Sequence, residues 1–302
     1  MILNETFLLS NGVQIPKIGL GTWFIEDSDV SNAIIQATKL GYRHFDTAQG
    51  YENEHGVGEG IRNCNISRSE LFVTTKLQAF YKTYNKAKES IDESLHVSGL
   101  DYFDMMLIHA PQPWTDFHNN ERYFHGNLEA WRALEEAYLA GKVRAIGVSN
   151  FEKEDLDNIT KNSNIRPATN QILAHISNTP LDLIEYCQSN DILVEAYSPI
   201  AHGQILKNKE LINMAKRYKV SVSQLCIRYC LQLGMLPLPK TANPTHMAEN
   251  AHVDFIISQT DMDQLKNFEK IKNYGDASLF PVYGGKMNAD FSCEPRDFPH
   301  KG

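Results

Sequence analysis

Cysteine is scarce and shows no pairing pattern: Cys64, Cys187, Cys226, Cys230 and Cys293 are five in 302 residues, an odd number without Cys-x-x-Cys spacing. That argues against a disulfide framework and a cysteine zinc site, and points to a reducing compartment, the cytoplasm. Cys226 and Cys230 lie one helical turn apart and read as helix packing in a core. No apolar run approaches the roughly 20 residues that span a bilayer. The first 14 residues lack the basic start, apolar centre and small-residue cleavage site of a secretory leader. Positive charge is in deficit, with 29 Lys and Arg against 37 Asp and Glu. The cations form no stripe, so neither nucleic acid nor an anionic membrane is an expected partner, and any anion site must be local. The chain also lacks the Gly-x-Gly-x-x-Gly turn that a doubly wound dinucleotide fold places between a strand and a helix. Gly56-Val57-Gly58-Glu59-Gly60 comes nearest, but Ile61 follows and no strand precedes it. Its small residues suit close packing of a helix that begins there.

With 42% hydrophobic residues, the chain can bury a large core. Short apolar runs alternate with amphipathic segments. Strands are expected near 18–20, 43–46, 71–76, 103–109, 143–148, 168–171, 193–196 and 235–238, and helical patterns at 30–40, 85–97, 128–140 and 222–233. Eight strand–helix units predict a parallel sheet closed into a (β/α)8 barrel, one domain over 1–302. Two apolar stretches flank Ser10-Asn11-Gly12, where positive φ is tolerated, so residues 6–15 read as a β-hairpin that closes the barrel floor. Two irregular stretches, 110–126 and 274–302, are rich in aromatic, Pro and Gly residues.

Asp46, Tyr51, Lys76 and His109 each fall at, or just beyond, the end of an expected strand, and in a parallel barrel such ends converge on one face. Together they can build a proton-donating site. A nearby ammonium from Lys76 would favour the Tyr51 phenolate and make the phenol acidic, Asp46 would keep that lysine charged, and His109 would hold a carbonyl oxygen. Taken singly, the same residues read as a structural ion pair, a half-buried ring and a core histidine. His118 and His125 fit no compact metal-ligand spacing and read as solvated loop residues, so no metal site is expected.

The stretches Gly41-Tyr42-Arg43-His44-Phe45-Asp46-Thr47-Ala48, Tyr51-Glu52-Asn53-Glu54, Leu71-Phe72-Val73-Thr74-Thr75-Lys76-Leu77 and Met106-Leu107-Ile108-His109 carry a resemblance. Here the sequence resembles the aldo-keto reductase superfamily, and within it the bacterial 2,5-diketo-gluconate reductase-like and prostaglandin F synthase-like branch. The resemblance implies a (β/α)8 barrel that reduces aldehydes or ketones with NAD(P)H, Tyr51 acting as general acid with the Lys76–Asp46 pair behind it. Gly147-Val148-Ser149-Asn150-Phe151 matches a family motif whose Ser and Asn bind the nicotinamide carboxamide. Gln171 would complete that contact, and Tyr197, followed by Ser198 in Ala196-Tyr197-Ser198-Pro199, would stack on the ring. The segment 239–250 matches the adenosine-phosphate site: Lys240 and Thr241 for the 2′-phosphate, Glu249 and Asn250 for adenine. His246 stands where many NADPH-preferring members carry arginine, so NADPH is expected to be preferred with measurable NADH use.

Trp23, Trp114 and Phe117 are expected to form an apolar substrate funnel, with Tyr51 closing its other side. Ala110 replaces a tryptophan common in the family, which should widen that pocket. A monomer or weak homo-oligomer acting on a small carbonyl substrate is expected. Two readings from other classes are a non-catalytic barrel that senses nicotinamide nucleotides and a metal-dependent hydrolase on the same fold.

Overall fold

A computed structural model describes residues 1–286. A two-stranded antiparallel hairpin, β1 (Thr6–Leu8) and β2 (Gln14–Pro16), comes first. Eight parallel strands follow: β3 (Leu20–Gly21), β4 (His44–Asp46), β5 (Phe72–Leu77), β6 (Phe103–Ile108), β7 (Val143–Ser149), β8 (Thr169–Leu173), β9 (Leu193–Tyr197) and β10 (Leu236–Leu238). They pair in strict sequence order. The last returns to the first through Gly19 N–H to the Pro237 carbonyl at 3.2 Å and Gly21 N–H to the Pro239 carbonyl at 3.1 Å. Both prolines accept but have no N–H to return. Gly21 also bridges Lys240 in parallel, and β3 spans only Leu20–Gly21, shorter than expected and shifted.

Among the described residues ten α-helices, α1 (Asp27–Lys39), α2 (Glu54–Asn63), α3 (Tyr84–Ser98), α4 (Phe124–Leu139), α5 (Lys153–Asn162), α6 (Leu181–Ser189), α7 (Lys209–Tyr218), α8 (Val222–Gln232), α9 (Pro244–Ala251) and α10 (Gln259–Lys266), accompany the strands. The expected (β/α)8 barrel is borne out, as is its plug. Leu9 and Ile15 of the hairpin are buried with Phe72, Met105, Leu107, Ala145, Ala168, Leu236 and Leu238 in one apolar cluster. This fills most of the lower barrel, and the open cavity lies at the opposite end, the C-terminal ends of the strands.

The helix begun by Glu54 explains the run of small residues. A Cβ on Gly56 would lie 2.1 Å from the Asp27 carbonyl oxygen, and one on Gly58 1.7 Å from that of Ser98. Only glycine lets α2 settle this close to its neighbours. Cys226 and Cys230 are fully buried in α8.

Glu54 anchors the start of α2, three residues after Tyr51, to the outside of β5. Its carboxyl accepts from Thr75 Oγ1 at 2.5 Å and Ser94 Oγ at 3.1 Å. Burial pushes that carboxyl up to about 7 against the two hydroxyl bonds. A raised folded-state pKa means that the acid contributes its full stability below the unfolded value of about 4.5, and that this is lost as pH rises through about 7. Glu54→Gln should therefore be more stable than the wild type at pH 8, by up to about 3 kcal/mol. The difference should shrink to under about 1 kcal/mol at pH 5 in urea denaturation. A difference unchanged between those pH values would refute this.

Candidate active site

The barrel's upper interior is built by strand alternation. Asp46, Lys76, Gln171 and Glu195 come from four different strands and are all buried. Lys76, fully buried, donates from Nζ to Asp46 Oδ1 at 2.6 Å, to the Thr47 carbonyl at 2.9 Å and to Tyr51 Oη at 3.2 Å. Three acceptors for three ammonium hydrogens leave that charge satisfied. Asp46 Oδ2 accepts from Gln171 Nε2 at 2.8 Å.

Tyr51 is carried by a 3₁₀ turn, Gln49–Tyr51, which side chains fix in place. Gln49 donates to Ser94 Oγ at 2.8 Å and to the Ser90 carbonyl at 3.0 Å, while its Oε1 accepts from Gln78 N–H at 2.9 Å. Asn53, fully buried, bonds the carbonyls of Thr22 and Ile25 at 3.0 and 2.9 Å, pinning the turn's far side. The His109 ring lies 5.7 Å from the Tyr51 ring and meets it edge-on. Burial, with Lys76 adding to it, holds the His109 pKa well below the ordinary histidine value, so the ring is neutral.

Electrostatics correct one expectation. Burial raises the pKa of Tyr51 above 10, and Asp46 adds to the rise; the pull of Lys76 offsets part of this but does not overcome it. The phenol is therefore not acidified. Lys76 is itself raised: burial works against its charge, and pairing with Asp46 and Tyr51 outweighs that.

These groups form one wall of a cavity of about 650 Å³. It runs from Trp23, Tyr51, His109 and Trp114, past Ser149, Asn150, Gln171, Tyr197 and Ser198, to Lys240, Thr241, His246, Glu249 and Asn250. Of the expected site residues, Phe117 and the buried Lys76 do not border it. Ser149 Oγ donates to the Gln171 carbonyl at 2.9 Å, Asn150 Nδ2 to the His109 carbonyl at 3.0 Å, and Tyr197 Oη to Asn150 Oδ1 at 2.7 Å. A flat half-exposed ring, an amide pair and a hydroxyl thus sit together. At the far end, Lys240 and the α9 N-terminus, capped by Asn243 onto Thr245 N–H at 2.9 Å, make a locally positive rim.

The family model for the aldo/keto reductase family matches residues 17–270. Glyoxal reductase of Bacillus subtilis is 38% identical over 275 residues, covering 90% of this chain and 96% of that protein. The 9,11-endoperoxide prostaglandin H2 reductase of Trypanosoma cruzi is 38% identical over 272 residues, covering 88% and 92%. The crystal structure of an aldo-keto reductase of Bombyx mori in complex with NADP superposes with a TM-score of 0.81 at 34% identity, covering 94% of this chain and 99% of that one. The chain belongs to the aldo/keto reductase family. It is a carbonyl-reducing oxidoreductase of that family, whose cofactor is a nicotinamide dinucleotide.

In this aldo-keto reductase the aromatic wall differs from the one expected. Trp114 stands edge-on to His109 at 5.1 Å, but Phe117 does not border the cavity. The 3₁₀ turn Trp114–Asp116 rotates Phe117 behind Trp114, where the rings lie 5.4 Å apart. Ala110 is fully buried rather than on the wall, and its carbonyl accepts from Lys82 Nζ at 2.8 Å.

Several wall residues were not foreseen: Phe24, Phe80, His202, Phe280 and Tyr283. Phe280 meets Trp23 edge-on at 4.9 Å, and Tyr283 stacks over it at 6.2 Å. Tyr283 Oη lies 2.7 Å from Ser198 Oγ and 2.8 Å from His202 Nε2, binding the C-terminal segment to the loop after β9. The aromatic richness of 274–302 was the available signal; residues 287–302 lie outside the described ones. His118 and His125 are exposed, and among the described residues no three His, Cys, Asp or Glu side chains cluster so as to hold a metal. Nor is any described helix long and apolar enough to cross a membrane.

Proposed function

We propose that this reductase takes NADPH in preference to NADH and reduces an aldehyde or ketone, with Tyr51 as the proton donor. One observation carries the reading: Lys76 Nζ, buried behind the wall, bonds Asp46 and Tyr51 at once, and those two border a cavity that continues to Lys240. Ser149, Asn150 and Gln171 offer the donors and acceptors that a carboxamide needs, and the Tyr197 ring offers a stacking platform. Lys240, Thr241 and the α9 N-terminus suit a phosphate, while Glu249 and Asn250 suit an adenine edge. A bound nicotinamide supplies the hydride.

The protein's own groups do the remaining work. The neutral imidazole of His109 donates a hydrogen bond that fixes the carbonyl oxygen beside the Tyr51 hydroxyl. As charge grows on that oxygen, Tyr51 gives up its proton. A developing alkoxide is a much stronger base than a phenolate, so the transfer runs downhill even from a phenol above its ordinary pKa. Lys76 then stabilises the phenolate left behind, and Asp46 keeps Lys76 charged. The aromatic wall excludes water and favours substrates with an apolar body.

Reduced-nicotinamide absorbance followed with a panel of aldehydes, diketones, sugars and quinones tests the activity; consumption with none of them would reject it. For the cofactor, kcat/KM should favour NADPH over NADH. Lys240→Met should lower the NADPH value by about tenfold and leave NADH within about twofold, since only the former carries the extra phosphate. An equal fall for both cofactors would remove Lys240 from that role.

A further inference from the structure

Glu195 has no place in the machinery described so far. It lies on β9, points into the barrel, is fully buried and does not border the cavity. Its Oε2 accepts from Gln171 Nε2 at 3.2 Å, and the same nitrogen donates to Asp46 Oδ2 at 2.8 Å. An amide nitrogen carries two hydrogens, and both are spent inward on carboxyl oxygens. Turning the amide over would set its oxygen against two carboxyl oxygens and leave both without a donor. Gln171 therefore meets the cavity with its acceptor, Oε1, and has no N–H left to offer there.

The other oxygen of Glu195, Oε1, has no hydrogen-bond partner. Burial, reinforced by Asp46, pushes the Glu195 carboxyl up to about 7. One ammonium, Lys76, faces two acids here. A protonated Glu195 still keeps its carbonyl lone pair for Gln171 and adds no second negative charge.

Resting on the proposed placement of a nicotinamide against Gln171, we infer that Glu195 is a positioning residue. With Asp46 it holds the Gln171 amide so that this side chain offers the cavity an acceptor alone, and so selects a pyridine ring bearing a carboxamide over one whose substituent has no N–H. A carboxamide amine gives that acceptor its hydrogen bond. An acetyl group in its place has no N–H to give, so the Gln171 oxygen is left without that hydrogen bond. Removing Glu195 leaves the Gln171 amide held by Asp46 alone, so its oxygen is less firmly aimed at the cavity and the preference should shrink.

Dissociation constants of NADP⁺ and of its 3-acetylpyridine analogue, measured by calorimetry, test this without turnover. The wild type should bind NADP⁺ about tenfold more tightly than the analogue, a difference typical of one hydrogen bond made or lost. E195Q, which keeps an acceptor for Gln171, should preserve the ratio. E195L should lower it by about threefold or more, roughly one weak hydrogen bond; if E195L does not fold, E195M is read by the same criterion. A merely structural role would weaken both ligands equally and leave the ratio alone. A ratio falling less than that in the apolar variant, or falling as far in E195Q, overturns the inference, as does a wild type that does not discriminate. Because binding is read separately from catalysis, a protein that discriminates but reduces nothing would refute the proposed function and leave this role for Glu195 standing.

Discussion

Tyr51→Phe should lower kcat for aldehyde reduction by about 10²–10⁴-fold, the usual worth of a positioned general acid, while NADPH affinity stays within about twofold. The substitution removes one oxygen and keeps the ring, so the contacts with His109 at 5.7 Å and Trp23 at 6.3 Å persist. What disappears is the hydroxyl that Lys76 bonds at 3.2 Å. No neighbour replaces it as a donor: Lys76 gains one unpaired N–H but is buried behind the ring and does not border the cavity, and His109 is already neutral, so giving up its remaining proton would leave an imidazolate. Steady-state rates and cofactor titration on the same preparation check both halves. A variant within about threefold of wild-type kcat would remove Tyr51 from the mechanism.

Lys76→Met should cost more than activity. It strands Asp46, a buried carboxyl whose Oδ1 then loses its partner at 2.6 Å, and breaking one side of a buried ion pair typically costs about 3–5 kcal/mol. Urea denaturation at pH 7 measures this. A pair serving structure alone predicts the same loss, so the decisive variant is the double replacement Asp46→Asn with Lys76→Met. Removing both charges should restore much of the stability, since a neutral pair of similar volume avoids the stranded charge. Activity should stay below about 1% of wild type, because the phenolate left on Tyr51 no longer has an ammonium beside it. A double variant that regained both would reduce Lys76 and Asp46 to structural partners.

Much of this was legible because strand period and strand ends are properties of the chain itself. Asp46, Lys76 and His109 could be placed on one face from short apolar runs, and the hairpin from Ser10-Asn11-Gly12, before any coordinates. Three things were not. The pKa of Tyr51 depends on how deeply the ring is buried, which no local pattern reports, and burial reversed the expected direction. Phe117 was misplaced because a 3₁₀ turn, not strand or helix period, sets which ring of that loop faces inward. Tyr283 and Phe280 reach the site from a segment without periodicity, across more than 70 residues from their partners Ser198 and Trp23. Glu195 reads as one polar residue in an apolar strand; only the shared nitrogen of Gln171 shows what it touches.

The most direct measurement is a reaction of the wild-type protein with NADPH deuterated at the transferable C4 position and a panel of aldehydes in ordinary water, with the alcohol examined by mass spectrometry and NMR. One deuterium on the former carbonyl carbon of each reduced substrate, one dinucleotide oxidised per alcohol formed, is the expected result. No dinucleotide consumed with any aldehyde, or alcohol formed without the label, would contradict the account at its centre.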